Sequence, residues 1–472
     1  MSCRDASQYI IDTGRLCIVK TIIRQITCCT ALLLALAFCL AITSAEEAAS
    51  EQTLTIYGTP SYSLMEAYQQ ACPNVAVSYM PAQDAQQVIS GAIAHETQPD
   101  IYCFFSLETP YYHSLRDRGY LAEISDEDVR SFVSSTYSGI RDECYDHSGT
   151  LRAMPIAVIL SNRLAVNSSL WETLELGNVP GTWDELFDFL EKWCASPELY
   201  GRYALLGYAS AEETRNMIGY VLRADYDCYR QAADPSLPYS TEVYQHLLHR
   251  LQDVPLENLD YAIEPEDTLF TDTYLPSPCG GLFSNDSMKC LQLSIDGAEP
   301  TRTQANVHFV CINASSPNQE LAMRFVQFLS QNLRPEVQAM LCTEYDAQVA
   351  GEEFAQKEAE YTEQLNLLEA QLEGLEDAAQ QQAIQAEINR VIQDYNYYLQ
   401  NEAYLISESS LQNYQKAIQG GITVNYGEGI LDQDVLANLS EKHRMFIAGQ
   451  MTVEQYTDIL DNIVYMQEQE WQ

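Results

Sequence analysis

Residues Val307–Leu329 read VHFVCINASSPNQELAMRFVQFL. The apolar run Val307–Ile312 has the length and β-branched content of a buried strand. Asn313-Ala-Ser-Ser follows as a turn. Ser316 is then expected as N-cap, Pro317 as the first helical residue and Gln319 as the third, a capping box. Leu321, Phe325, Phe328 and Leu329 recur at helical spacing and form one apolar face. The stretch is a strand–turn–helix unit of an α/β protein. Upstream, the runs Leu54–Tyr57, Val75–Tyr79 and Gln98–Phe105 alternate with amphipathic stretches over Ser61–Cys72 and Ala82–His95. That alternation predicts a mostly parallel sheet with helices on both faces. Ligands of such sheets bind beyond the carboxyl ends of the strands, so the loops Gly58–Tyr62 and Phe104–Pro110 fall on the candidate site.

The chain has 472 residues, long enough for two lobes, and its 67 Asp and Glu against 25 Lys and Arg give a net charge of −42. That balance excludes nucleic acid as a partner, because phosphate binding needs basic stripes. Residues 1–45 read as an export signal: Lys20 and Arg24, an apolar run Thr27–Ile42, then Thr43-Ser-Ala45. Cleavage after Ala45 is favoured over lipidation at Cys39, where Phe38 occupies a position that wants a small residue. The apolar run is short for a retained membrane anchor. Cysteines 72, 103, 144, 194, 228, 279, 290, 311 and 342 follow, an odd number without CxxC spacing. Cys103 and Cys311 lie inside apolar strands and read as buried thiols, and one or two disulfides elsewhere stay open. His246 and His249 stand three apart on a helix with no third ligand near in sequence, so no metal or cofactor is expected. With no nucleophile elbow, HExxH or phosphate-cradling glycine loop, no enzyme is expected either.

Several stretches in order resemble the maltose-binding type of extracellular solute-binding protein (family 1). They are Pro99-Asp-Ile with Gly119–Ile124, Pro155-Ile-Ala-Val158, Thr182-Trp-Asp-Glu185, the spacing from Pro300 to Asn313, Ile312–Leu329, and Ile447–Gln455. The resemblance implies an α/β, two-lobe periplasmic-binding-protein-like fold (type II). It implies lobe 1 over 54–158, lobe 2 over 159–298, a return to lobe 1 over 299–332 and completion of lobe 2 over 333–472. In the family the loop after the Pro-Asp-Ile strand gives an aromatic and an acid to the ligand. Here these fall on Phe104 or Phe105, with Phe104 taken as the site residue, and on Glu108. Phe283-Ser-Asn285 resembles a Trp-Ser-Asn stretch whose ring stacks on sugar, which points to Phe283 and Asn285. Glu213, with Glu212 and Arg215, falls in a further contact region. The family's sugar-contacting glutamate lands on Ile159 or Leu160, a departure that argues against a maltodextrin. Trp183 reads as core. The resemblance implies a monomeric extracellular component of an ABC importer that hands a small solute, a carbohydrate, to membrane permease subunits. The same fold around a cationic solute, such as a polyamine or metal complex, is the alternative that suits the acidic balance.

From 354 to 400 the composition turns to Glu, Gln, Ala and Leu. Tyr361, Leu365, Leu368, Leu372 and Leu375 step by four and three, as do Ile384, Ile388, Val391, Tyr395 and Tyr398. Two heptad runs with a break between them predict an antiparallel coiled-coil helical hairpin inserted into the fold, read as a solvated ornament ahead of a docking arm.

Overall fold

The computed structural model describes residues 52–471 except 81–84, 107–111, 209, 235, 260, 262–266, 275, 280–287, 298–299 and 426–432. The expected export signal therefore lies outside the described residues, and among these no helix is long and apolar enough to cross a membrane. The chain divides into two compact units, residues 1–54 with 69–78 and residues 55–68 with 79–472. The described part of the smaller unit comprises the head of strand β1 (Gln52–Tyr57), the end of the helix Tyr62–Ala71 and most of strand β2 (Val75–Tyr79).

The larger unit holds β3 (Ile101–Phe105), β4 (Ala153–Leu160), β5 (Arg163–Asn167), β6 (Phe270–Tyr274) and β7 (Met288–Cys290). It also holds β8 (Thr303–Ile312), β9 (Val349–Ala350), β10 (Tyr404–Ile406) and β11 (Ile422–Val424). The expected strand at Val307 is the second half of β8, the longest strand and the axis of the main sheet. β4 runs antiparallel along one edge of β8, from Ala153 opposite Cys311 to Leu160 opposite Ala305. On the other edge, β3 pairs antiparallel with residues 308–312 and β11 pairs parallel with residues 303–305. β1 lies parallel to β3, with Ile56 opposite Ile101. The sheet is thus mixed rather than mostly parallel, because β8 enters against β3. β11 also corrects the expected boundary at 333: Ile422–Val424 lies in the main sheet and not with the second lobe.

The residues that made Pro99-Asp-Ile and Ile312–Leu329 legible lock to one another. Asp100, 1% exposed, accepts the Thr55 N–H (2.8 Å), the Ser316 hydroxyl (2.5 Å) and the Asn318 amide (3.2 Å). Asn313 donates its amide to the carbonyls of Glu96 and Pro99 at 3.0 and 2.8 Å. A buried carboxylate needs such donors, so three chain segments are pinned around one charge. This corrects the expected capping box. Ser316 turns to Asp100 and accepts the Asn318 N–H, and the helix Gln319–Gln331 starts later, behind Asn318. Its inner face is the expected one: Leu321, Phe325 and Leu329 are buried, and Phe325 and Phe328 meet the Tyr68 ring at 4.8 and 5.2 Å.

A second sheet, in the order β6–β5–β7, is antiparallel throughout. Its hydrophobic cluster takes residues from Leu164 to Ile295 and again from Leu439 to Leu460, so the C-terminal helices complete a core begun before β8. Thr182 caps the helix Trp183–Cys194, and Trp183 is fully buried with its Nε1 donating to Asp225, as a core residue. Thr452 and Gln455 form a complete capping box for the helix Val453–Trp471.

The helices Phe354–Glu373 and Ala378–Asn401 form the expected hairpin, with Asp377 capping the second. Phe354 meets Tyr404 at the base, and Tyr361 meets Tyr395 and Tyr398 at 4.9 and 6.0 Å, so the helices run antiparallel. All ten residues of the two heptad runs are withdrawn from solvent while most of their neighbours are exposed. A two-stranded ribbon, β9 with β10, closes the base.

Candidate ligand-binding site

The registers of the main sheet converge on one point. β3 runs against β8 and ends at Phe105, opposite His308; β11 runs along β8 and ends at Val424, opposite Ala305. The carboxyl ends of two strands therefore meet head-on at Asn306 and Val307 of β8. Ser106 seals the junction from one side, accepting the Val307 N–H at 2.9 Å, and Asn425 donates its N–H to Ala305 at 2.7 Å from the other. In α/β sheets the ligand crevice lies outside the carboxyl ends of the strands, so this junction is the candidate site.

Period-two alternation decides what faces that crevice. Phe104, Val158, Val307 and Phe309 point into the core, and Phe105, Ile159, Asn306 and His308 point away from it. Phe104, expected at the site, is 1% exposed, its ring stacked on Tyr102 at 5.1 Å, because its place on β3 turns it into the core. Phe105 is half-buried and its ring meets His308 at 5.6 Å. Ile159, opposite Asn306, is 46% exposed, whereas Leu160 is buried. Burial pushes the His308 imidazole down to about 4, against a hydrogen bond to the Cys103 backbone, so the ring is neutral at pH 7. The Asn306 Oδ1 is buried and has no hydrogen-bond partner among the described residues. The approach from β1 needs Gly58: its φ is +76°, and a Cβ there would lie 2.3 Å from the Cys103 carbonyl.

On the second sheet, Ala204 and Leu205 run alongside β6, accepting the N–H groups of Leu269 and Phe270, and the chain leaves their ends at Tyr208. The Tyr208 hydroxyl donates to Asp272 at 2.6 Å, and Asp272 is 8% exposed. Burial, that hydrogen bond and the charges of Asp272 and Glu213 all push the phenol up, so it stays a donor. Glu213 is exposed in the first turn of the helix Ala211–Ala233, its N–H bonded to the capping Ser210. Arg215 is committed elsewhere, to the carbonyls of Leu251 and Val254 and to Glu257.

Glu108, Phe283 and Asn285 lie outside the described residues. His246 and His249 go to separate carboxylates, Asp184 at 2.9 Å and Glu454 at 3.6 Å, and no metal-holding group of His, Cys, Asp and Glu occurs among the described residues. The nine cysteines from Cys72 to Cys342 are unbridged. Asn306, His308, Tyr208 and Asp272 were not singled out from the sequence. The first two carried a signal: polar residues at alternate positions within an apolar strand.

No curated protein matches the sequence. A family model described as "Bacterial extracellular solute-binding protein" matches residues 63–234. Among solved structures, the cyclic α-maltosyl-1,6-maltose binding protein of Arthrobacter globiformis superposes with a TM-score of 0.51 at 14% identity, over 88% of this chain and 98% of that one. A putative binding protein, MsmE, of Bacillus subtilis in an open conformation gives 0.50 at 14% identity, over 90% and 99%. The sugar-binding protein MalE of Xanthomonas citri gives 0.50 at 13% identity, over 89% and 99%. The likenesses establish the two-lobe fold, and the match to the solute-binding family model covers residues 63–234 of this chain.

Proposed function

We propose that the chain is the exported binding component of an ABC importer, closing two lobes on a carbohydrate and presenting it to membrane permease subunits as a monomer. Lobe 1 is built on the main sheet and lobe 2 on the β6–β5–β7 sheet, with 159–163 and 299–303 as crossings. The observation that carries the ligand class is the face at the strand ends. Phe105 and Ile159 offer apolar surface beside Asn306 and a neutral His308. Pyranose rings need that pairing, because their C–H faces pack on aromatic rings while their hydroxyls seek hydrogen-bond partners. Tyr208, Asp272 and Glu213 supply the polar side from lobe 2, and Glu108, Phe283 and Asn285 are carried as ligand contacts by the sequence resemblance alone. Ligand binding shifts an open–closed equilibrium toward the form the permease reads.

A second reading has its own observation: Asp272 and Glu213 both act on Tyr208, an acidic edge that suits a cationic solute. Thermal shift and calorimetry of the mature chain against maltose, xylobiose, raffinose, spermidine and divalent metals separate the two. A sugar at a hundredfold over its Kd stabilises the fold by about 2.7 kcal/mol. Phe105→Ala is expected to weaken that sugar about tenfold. Binding of spermidine alone transfers the conclusion to the cationic reading, and turnover of a bound sugar ends the reading of pure binding.

A further inference from the structure

One backbone oxygen takes a side-chain donor from each of the two sheets. The Ala417 carbonyl ends the helix Glu408–Ala417, and it accepts the Thr303 hydroxyl at 3.1 Å and the Gln292 amide at 2.7 Å. Thr303 opens β8 of the main sheet and Gln292 follows β7 of the second, with the second crossing between them. The two donors differ in how they are held. Thr303 and Ala417 are fixed to one another through the main sheet, because the chain runs from Ala417 into β11 and the Gly421 carbonyl accepts the Thr303 N–H at 2.9 Å. Gln292 belongs to the other side. Its neighbours Leu291 and Leu293 lie in the core of the second sheet, and the Leu293 carbonyl accepts the Thr301 hydroxyl. A change in the angle between the sheets therefore falls on the short link from Thr301 to Thr303 and moves Gln292 against Ala417. An N–H···O bond is gone by about 3.6 Å, so a shift of roughly 1 Å parts the amide from the carbonyl. Resting on the two-lobe binding reading above, we propose that Gln292 is a positioning residue. Its bond to Ala417 holds one lobe angle against the others and so sets the open–closed balance without touching the ligand.

A residue of this kind changes the fraction of chains competent to bind, so the apparent affinity for every ligand moves by one common factor. A residue in contact with ligand moves each affinity differently. The experiment measures Kd by calorimetry for maltose, xylobiose, raffinose and spermidine, and for a monodeoxy analogue of the tightest binder. The proteins are the wild type, Gln292→Met, which keeps the length of the side chain and removes the donor, and Thr303→Val, with the unliganded melting temperature of each. The expected result for Gln292→Met is a common shift of about three- to tenfold in the Kd of every binder. Thr303→Val loses a donor within the main sheet, so it should lower the melting temperature and leave Kd unchanged. Unchanged Kd values in Gln292→Met, a change confined to one ligand, or an equal shift in Thr303→Val overturns the assignment and leaves the binding reading standing. If no member of the panel binds the wild type, the binding reading falls and this inference with it.

Discussion

Replacing Asp225 with alanine strands a buried cation at the place where the chain crosses between the two sheets. Arg163 opens β5, directly after the first crossing, and its side chain is 5% exposed. Its guanidinium reaches Asp225 at 3.1 Å and the Arg302 carbonyl, on the second crossing, also at 3.1 Å. It also lies 3.5 Å from the Leu291 carbonyl. Burial works against the Arg163 charge, but Asp225, Cys290 and Cys228 together hold the guanidinium above its ordinary range, while burial pushes the Asp225 carboxyl up against the pull of Arg163 and the Trp183 hydrogen bond. Trp183 donates to the other carboxylate oxygen, so Asp225 ties the helix Ala211–Ala233 both to the core and to the crossing. With Asp225→Ala the guanidinium keeps two carbonyls and the Cys290 sulfur but no carboxylate, and breaking a buried pair from one side costs about 3–5 kcal/mol. For a lobe of some 150–250 residues, at roughly 2–4 °C per kcal/mol, the melting temperature should fall by about 10 °C. The double variant Arg163→Met with Asp225→Leu removes both charges and should recover most of that loss, since apolar replacement of a whole buried pair is often neutral. Urea unfolding of the three proteins checks this. A loss under 1 kcal/mol for Asp225→Ala, or a double variant as unstable as the single one, refutes the claim that the pair holds the crossing.

Tyr208→Phe removes the donor to a nearly buried carboxylate and should cost about 1–2 kcal/mol in urea unfolding, discounted because Tyr208 is half-exposed to water. Replacing 354–400 by a short Gly-Ser turn should leave sugar affinity and the main melting transition unchanged, because the ribbon β9–β10 already brings the two ends together and Gly351 donates to Ala403 at 2.8 Å; a tenfold change in Kd on calorimetry contradicts it. Burial and the nearby Arg223 charge push the His443 imidazole down to about 4, below its usual 6.5, so the unfolded chain binds more protons between those values. Stability is therefore lost as pH falls from about 6.5 to 4, and His443 should contribute about 2–3 kcal/mol of that loss between pH 7 and 4.5. Unfolding free energies of wild type and His443→Gln at both pH values test it, the variant being the flatter of the two.

The hairpin was the most legible element, because its ten seam residues repeat a spacing that only two packed helices explain. The strand–turn–helix at Val307 was legible for a different reason: Ser316 and Asn318 donate to the buried Asp100 carboxylate and Asn313 donates to the Glu96 and Pro99 carbonyls, so their types and spacing leave a readable mark. The same carboxylate misled the local reading. A Ser-Pro-x-Gln sequence predicts a capping box when the helix is taken alone, and a long-range acceptor removes the serine from that role. Phe104 and Phe105 are equivalent in a local view. Only the register of β3 on β8 gives their faces opposite fates, and that register is a tertiary fact. Tyr208 and Asp272, 64 residues apart, carry no joint signal until β6 brings them together.

The residues that hold the fold and those that face the crevice occupy separate positions on the same strands, and this separation bears on how a ligand changes within such a fold. Asp100, Asn313 and Ser316 sit at the end of the sheet away from the crevice and touch one another. Asn306, Phe105 and Ile159 sit where β3 and β11 run out, and none of them donates to or accepts from that lock. Substitution at the crevice can change what is bound without disturbing the contacts that join the strands, since distant sites with no shared partners behave additively. Phe105→Ala and Asp100→Asn should therefore act independently. The first changes Kd, the second changes stability at constant Kd, and the double variant shows the sum within about 0.5 kcal/mol. A coupling larger than 1 kcal/mol between them would mean that the crevice and the lock share a strained element, and the independence argued from their geometry would be lost.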